Sequence, residues 1–137
     1  MIITFCGHSK LIEQNTIRAH LTRELRTLLE HGNHKFYLGG YGDFDLLAAK
    51  VLYELKQDYP ETESILILPY LDRKVDASLY DSTIYPPLEN VPKRYAISHR
   101  NKWMVDQADM VIAYVDHDWG GAAKTLEYAH QSRRASI

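Results

Sequence analysis

The stretch that most narrows the possible folds is Lys35 to Lys50, KFYLGGYGDFDLLAAK. Phe36 to Gly39 is apolar and β-prone, and Gly39, Gly40 and Gly42 follow within one turn's length. Asp43 then opens a run with apolar residues at Phe44, Leu47, Ala48, Val51, Leu52 and Leu55, which is the spacing of one helix face. A buried strand, a glycine turn and a helix in that order place backbone N–H groups at the positive end of a helix. Such a place can hold an anion, most often a phosphate. Glycine suits the turn because it tolerates positive φ and brings no side chain between backbone and ligand. A tight connection with purely structural glycines has the same appearance, so the turn alone leaves both readings open.

The same alternation runs along the chain. Met1 to Cys6 reads as a buried strand, and Thr16 to His31 as a helix with Ile17, Leu21, Leu25, Leu28 and Leu29 on one face. Asn15 is the expected N-cap of that helix, and Gly32-Asn33 its end. The second helix is expected to run to about Tyr59, before Pro60. Ser64 to Leu68 is apolar enough for a central parallel strand. Tyr70 to Lys93 is irregular and contains Pro86, Pro87 and Pro92, with room for a short helix around Ala77 to Tyr80. A loop of that length in a small domain is usually functional. A helix over Tyr95 to Ala108, with Ile97, Met104 and Val105 inward, leads to a strand over Met110 to Val115. A turn over Asp116 to Gly121 precedes a last helix from Ala122 to about Ser132, and Ala135-Ser136-Ile137 could add an edge strand. Four apolar strands alternating with helices predict a Rossmann-like three-layer α/β sandwich, one domain over residues 1–137, with a mainly parallel sheet of four to five or more strands. In such sheets ligands sit beyond the strand C-termini, where the strand order reverses. The loops at issue are Gly7–Lys10, Gly39–Asp43, Pro69 onward and Asp116–Gly121.

Composition excludes several classes. No apolar run reaches the length of a membrane span, and MIITFCGHS lacks the basic start and cleavage site of a signal peptide. The formal net charge of -2 gives no global field for nucleic acid or anionic lipid. The single cysteine, Cys6, can form no internal disulfide, which fits a reducing cytoplasm. Cys6 falls within a strand, where a thiol is inert. No G-x-x-x-x-G-K-[ST] occurs, which disfavours a P-loop, and no acidic residue on a second strand marks a dinucleotide ribose. His8, His31, His34, His99 and His117 make no metal-site spacing with Cys6 or with one another, so no metal is expected.

Gly120-Gly121 repeats the device of Gly39-Gly40, and two such turns can grip the two ends of a nucleotide or sugar phosphate. The candidate ligand-binding set is Gly7, His8, Gly39, Gly40, Tyr41, Gly42, Asp43, Arg100, Trp119, Gly120 and Gly121. Arg100 would hold an anion through a bidentate contact. Tyr41 and Trp119 flank the turns, where each can stack on a purine or pack on a loop. Glycosidic cleavage would further need a carboxylate near the anomeric carbon, for which Glu127, Asp43, Asp45 and Asp116 are candidates.

The N-terminal strand running into Gly7-His8, the GGYGDFD turn, and HRNKWMVDQADMVIAYV followed by WGGAAKTLEYA resemble the SLOG superfamily over nearly the whole chain, and its YpsA-like branch most. Relatives of that branch include the Lonely-guy (LOG) phosphoribohydrolases and the DprA/Smf proteins. The resemblance implies a Rossmann-like fold and a nucleotide or nucleotide-derived ligand, ADP-ribose-like or nucleoside-monophosphate-like. It also implies an alternative activity, cleavage of the N-glycosidic bond of a nucleoside 5'-monophosphate. The LOG enzymes use an Arg-Lys pair on a helix and a PGGxGTxxE turn. Arg100 and Lys102 match the pair, and Gly120-Gly121 match the turn. Trp119 stands in place of the proline and the third glycine is missing; counting the T-x-x-E end from Thr125, Tyr128 holds the place of the glutamate, with Glu127 one position early. Arg100 and Glu127 are the catalytic pair only on that enzymatic reading. A DprA-like association with nucleic acid is a further alternative, against which the acidic net charge counts. Relatives of this fold often dimerise.

Overall fold

The computed structural model describes residues 1–131 and the backbone of 135–136. In chain order the elements are β1 (Ile2–Gly7), α1 (Gln14–Glu30), β2 (Lys35–Leu38), α2 (Asp43–Leu55), β3 (Glu63–Ile67), β4 (Ser82–Ile84), α3 (Ala96–Gln107), β5 (Met110–Tyr114), α4 (Gly121–Gln131) and β6 (Ala135–Ser136). The sheet order is β4-β3-β2-β1-β5-β6. Every neighbouring pair is parallel.

The strands are apolar along their length because both faces are covered. Side chains alternate across the sheet. Ile3, Phe5, Phe36 and Leu38 face a core built with Leu21, Leu25 and Leu29 of α1 and Leu47, Val51 and Leu52 of α2. On the other face, Cys6 and Val111 pack with Val105 of α3 and Ala129 of α4, and Tyr37, Ile65 and Ile67 with Met104. The result is the Rossmann-like three-layer α/β architecture. Among the described residues no helix is long and apolar enough to cross a membrane.

Three local expectations are corrected. Asn15 is not the N-cap of α1: the helix begins at Gln14, after Glu13, and no side chain caps it. The Asp43 carboxylate accepts from the Leu11 N–H at 3.0 Å and lies 3.5 Å from Gln14 Nε2, so the entry to α1 is pinned from α2. Residues Ala77 to Tyr80 form a single turn, closed by Tyr80 N–H to Ala77 O at 3.0 Å, not a helix. Ser82–Ile84 is an added parallel edge strand of three residues, too short for any periodicity to announce it. At the C-terminus Ala135–Ser136 does pair with β5, while Ile137 and Ser132 lie outside the described residues.

The chain moves outward from β1 through β2, β3 and β4, then returns to add β5 on the other side of β1. Strand order therefore reverses between β1 and β5. Loops leaving these two strands diverge there and open a crevice beyond their C-terminal ends.

Candidate functional site

A cavity of about 520 Å3 fills that crevice. Its walls bring together Gly7 and His8 after β1, Gly39, Tyr41 and Gly42 after β2, Arg100 of α3, and Trp119, Gly120 and Gly121 before α4. Nine of the sequence-selected positions thus share one space. Gly40 opens instead onto a neighbouring cavity, and Asp43 lines neither.

The two glycine turns, alike in sequence, differ in state. At the first, Gly40 and Gly42 take φ of 76° and 86°. The Gly40 N–H donates to the Asp45 carboxylate, and the Gly39 and Tyr41 amides also favour its charge. Burial pushes the Asp45 carboxyl up, while the Arg100 charge and the three amides oppose that shift. At the start of α2, the Asp43 N–H donates to Ser9 O at 2.9 Å and the Phe44 N–H to His8 O at 3.4 Å. This turn holds an anion of its own, and the first amides of its helix are taken.

The second turn is open. Gly120 has φ of 92°, and a Cβ on Gly120 or Gly121 would meet nothing within 4 Å. The Lys124 N–H makes the first bond of α4, to Gly120 O. The amides of Gly121, Ala122 and Ala123 have no partner among the described residues. These are the orphan donors of a helix start; Gly121 and Ala122 line the crevice, Ala123 the cavity beside it.

Arg100 is only 2% exposed, although a helical arginine between histidine and asparagine reads as a surface residue. Its Nη1 donates to Gly39 O at 2.7 Å and to Ile67 O at 2.8 Å, and its Nε to Asn101 Oδ1 at 2.9 Å. It thereby ties together the C-terminal ends of β2 and β3. Burial pulls its pKa down, and the Asp45 charge works against that. A Cβ on Gly39 would stand 2.9 Å from the guanidinium carbon, so glycine makes room for the arginine as much as for any ligand. The Arg-Lys pair is split: Lys102 lies 5.7 Å from the ring of Tyr128, away from the crevice.

His8 is buried, and its Nε2 accepts the Asp116 N–H at 2.8 Å. The His117 ring stacks on it at 3.6 Å, 9° from parallel, and Trp119 lies against His117 at 4.0 Å. Trp119 itself is 69% exposed at the mouth. His8, Asp116 and His117 place three metal-capable atoms close together, which their sequence spacing did not suggest. The geometry is that of a hydrogen-bonded stack. Two nearly parallel rings cannot aim their in-plane lone pairs at one point, and that of His8 Nε2 is engaged by the amide. The hydrogen bond from His117 holds the Asp116 carboxyl below its usual range.

Glu127 is not among the crevice residues. It lies on a different face of α4, in a shallow cavity with Leu126 and His130, and does not meet Arg100 in the crevice. Sequence reading did not foresee how Asp45 is used, nor the parts of Ser9, His117 and Thr125 in the walls. Only Asp45 left a trace, as one of four candidate carboxylates.

Cys6 also lines the crevice. Burial, then the nearby Asp45 charge, pushes its thiol from 9.0 up to about 12, and burial pushes the Tyr80 phenol from 10.0 to about 12. Each folded-state pKa is raised, so above pH 9.0 the unfolded chain holds fewer protons than the folded one. Stability is therefore expected to fall as pH rises from 9.0 toward 12. Cys6→Ala should flatten the limb between 9.0 and 10.0, where the thiol contributes more than the phenol. Denaturant unfolding across that range checks this.

Comparison with known proteins bears on the fold and the family. The chain is 23% identical over 125 residues to a UPF0398 protein of Bacillus pumilus, an alignment covering 80% of this chain and 66% of that one. This chain thus spans just under two thirds of that relative's length. Two solved structures share its fold. DNA processing protein A from Helicobacter pylori, which binds single-stranded DNA, superposes with a TM-score of 0.69 at 16% identity, over 99% of this chain and 63% of that one. The molybdenum cofactor binding protein from Rippkaea orientalis superposes with a TM-score of 0.64 at 20% identity, over 99% and 74%. The sequence model of the YspA SLOG family matches residues 8–136, so the chain belongs to that family.

Proposed function

We propose that the crevice binds a nucleotide or nucleotide-derived ligand with its phosphate at the start of α4. The carrying observation is the contrast between the two turns. Asp45 occupies the first, while Gly121, Ala122 and Ala123 offer amides without partners at the second. An incoming phosphate meets a resident carboxylate at one end and free donors at the other, so the ligand has a polarity. Its planar ring has two faces available, Trp119 on the His117–His8 stack and Tyr41, which is 52% exposed. Solved neighbours that bind single-stranded DNA and molybdenum cofactor support a binding role for this architecture. A reducing, cytoplasmic setting belongs to the same reading, since one lone cysteine stays a thiol there.

Thermal shift tests it. AMP at a hundred times its Kd is expected to add about 2.7 kcal/mol of stability. Adenosine, which cannot use the α4 amides, should add much less at the same concentration. Trp119→Ala should reduce the AMP shift without lowering the melting temperature of the free protein, because the ring is mostly exposed. Equal shifts from AMP and adenosine would remove the phosphate assignment.

A hydrolytic reading would rest on Asp45, the crevice carboxylate that burial makes harder to ionise. Release of adenine from AMP that disappears in Asp45→Asn would establish it. No release by the native chain would leave binding as the activity.

A further inference from the structure

Behind the first glycine turn lies a second cavity of about 340 Å3, walled by the segment that follows β3. The sequence marked this segment as too long for a mere connection. It is strapped in place at several points. Lys93 forms an ion pair with Asp72, the Tyr70 hydroxyl donates to Lys93 O at 3.0 Å, and the Asp76 carboxylate accepts the Ser78 N–H at 3.0 Å.

The straps present a particular chemistry. Leu66 and Leu68 line the cavity beside the rings of Tyr41, Tyr70 and Tyr80. The rim carries Arg73 and Lys74, both exposed, with Asp76 beside them. The Arg73 guanidinium lies 3.9 Å over the Tyr70 ring. Flat aromatic faces interleaved with cations suit a base and a phosphate together.

The position adds the decisive constraint. This cavity and the crevice share Gly39 and Tyr41 as a common wall. Where that wall is Gly39 and Gly40 it is a backbone ridge, packed against the Arg100 guanidinium at Gly39 and against Leu66 at Gly40. The first-turn amides are spent on Asp45, so a phosphate on the ridge needs cations from elsewhere. Arg73 and Lys74 stand on that side.

We infer that the second cavity is a subsite for a second nucleotide unit, joined through a phosphate bridge across the Gly39–Tyr41 ridge to the unit in the crevice. The inference rests on the nucleotide reading of the crevice. The chemical class is a two-unit nucleotide, bridged either by a 3'-5' phosphodiester or by a diphosphate.

The test is calorimetric titration of the full chain with AMP, with the adenylate dinucleotide pApA and with a diphosphate-bridged diadenosine. At least one two-unit probe should bind about tenfold or more tighter than AMP, the gain expected of one added stacked base. The double variant Arg73→Ala/Lys74→Ala should lose that gain and keep AMP affinity within about twofold. Both residues are exposed, so folding is not at stake. Whichever bridge gives the larger gain identifies the source. AMP binding with no gain from a second unit overturns the subsite alone, as does a gain that survives in the double variant. Failure of all three probes to bind overturns the crevice reading and the subsite with it.

Discussion

Arg100→Met is expected to cost the fold about 3 to 5 kcal/mol, the range for removing one partner from a buried charged network. The guanidinium is almost fully enclosed, and its Nη1 donates to the carbonyls of both Gly39 and Ile67. Methionine fills much of the volume but removes the donor that both carbonyls share and leaves Asp45 without its cation. Domains of this size are stable by about 5 to 15 kcal/mol, so the variant should survive with a much lower urea midpoint. Arg100→Lys should recover little, because one ammonium lacks the planar fork that serves two strand ends and an asparagine at once. Asp45→Asn added to Arg100→Met should cost less than the two changes separately, since the neutral amide no longer wants the cation. A surface role for Arg100 makes a different forecast, a loss below about 0.5 kcal/mol. Urea unfolding with an unchanged m-value separates the two.

Gly7→Ala should destabilise by about 3 kcal/mol, at the upper end of ordinary overpacking. A Cβ there would stand 2.2 Å from Phe44 Cδ2 and 2.5 Å from Phe44 Cβ. The obstruction is the root of the side chain, not its far end, so a rotamer change cannot relieve it. The first turn of α2 would have to move, and it is bonded to Ser9 and His8. Phe44→Ala alone should cost about 3 to 5 kcal/mol by opening a cavity in the core. In the double variant the new methyl enters that cavity, and the total should fall well short of the sum. Additivity in this cycle would show that the two residues do not press on each other. Since α2 forms one side of the crevice, Gly7→Ala should also weaken AMP binding beyond what its stability loss explains.

Much of the architecture was legible because it is local. Apolar runs of strand length, glycine or proline after each, and helical spacing between them require a parallel sheet with helices on both sides. The loops that would border a ligand followed from the same pattern. The strand β1 and the start of the helix α2 were plain for that reason, although α2 ends at Leu55 and not near Tyr59. The edge strand β4, with three residues and little burial, carried no such signal.

The site was legible only as a set of loops. KFYLGGYGDFD and VIAYVDHDWGGAA present the same device to a reader of residues, and both promise free amides. Which promise is kept depends on Asp45, whose side chain turns back from α2 into the first turn, and on its absence at the second. Arg100 and Glu127 show the same limit. Both are charged residues on amphipathic helices, yet one is sealed under two strand ends and the other faces away from the crevice.

The sequence by itself determined the alternating α/β framework and the bends that edge the crevice, because short-range spacing decides which faces must be buried. Tertiary structure alone decided which bend stays open, where Arg100 and Asp45 lie, and that His8, His117 and Trp119 stack. Those outcomes depend on contacts between residues far apart in the chain, and hydrophobic periodicity carries no record of them.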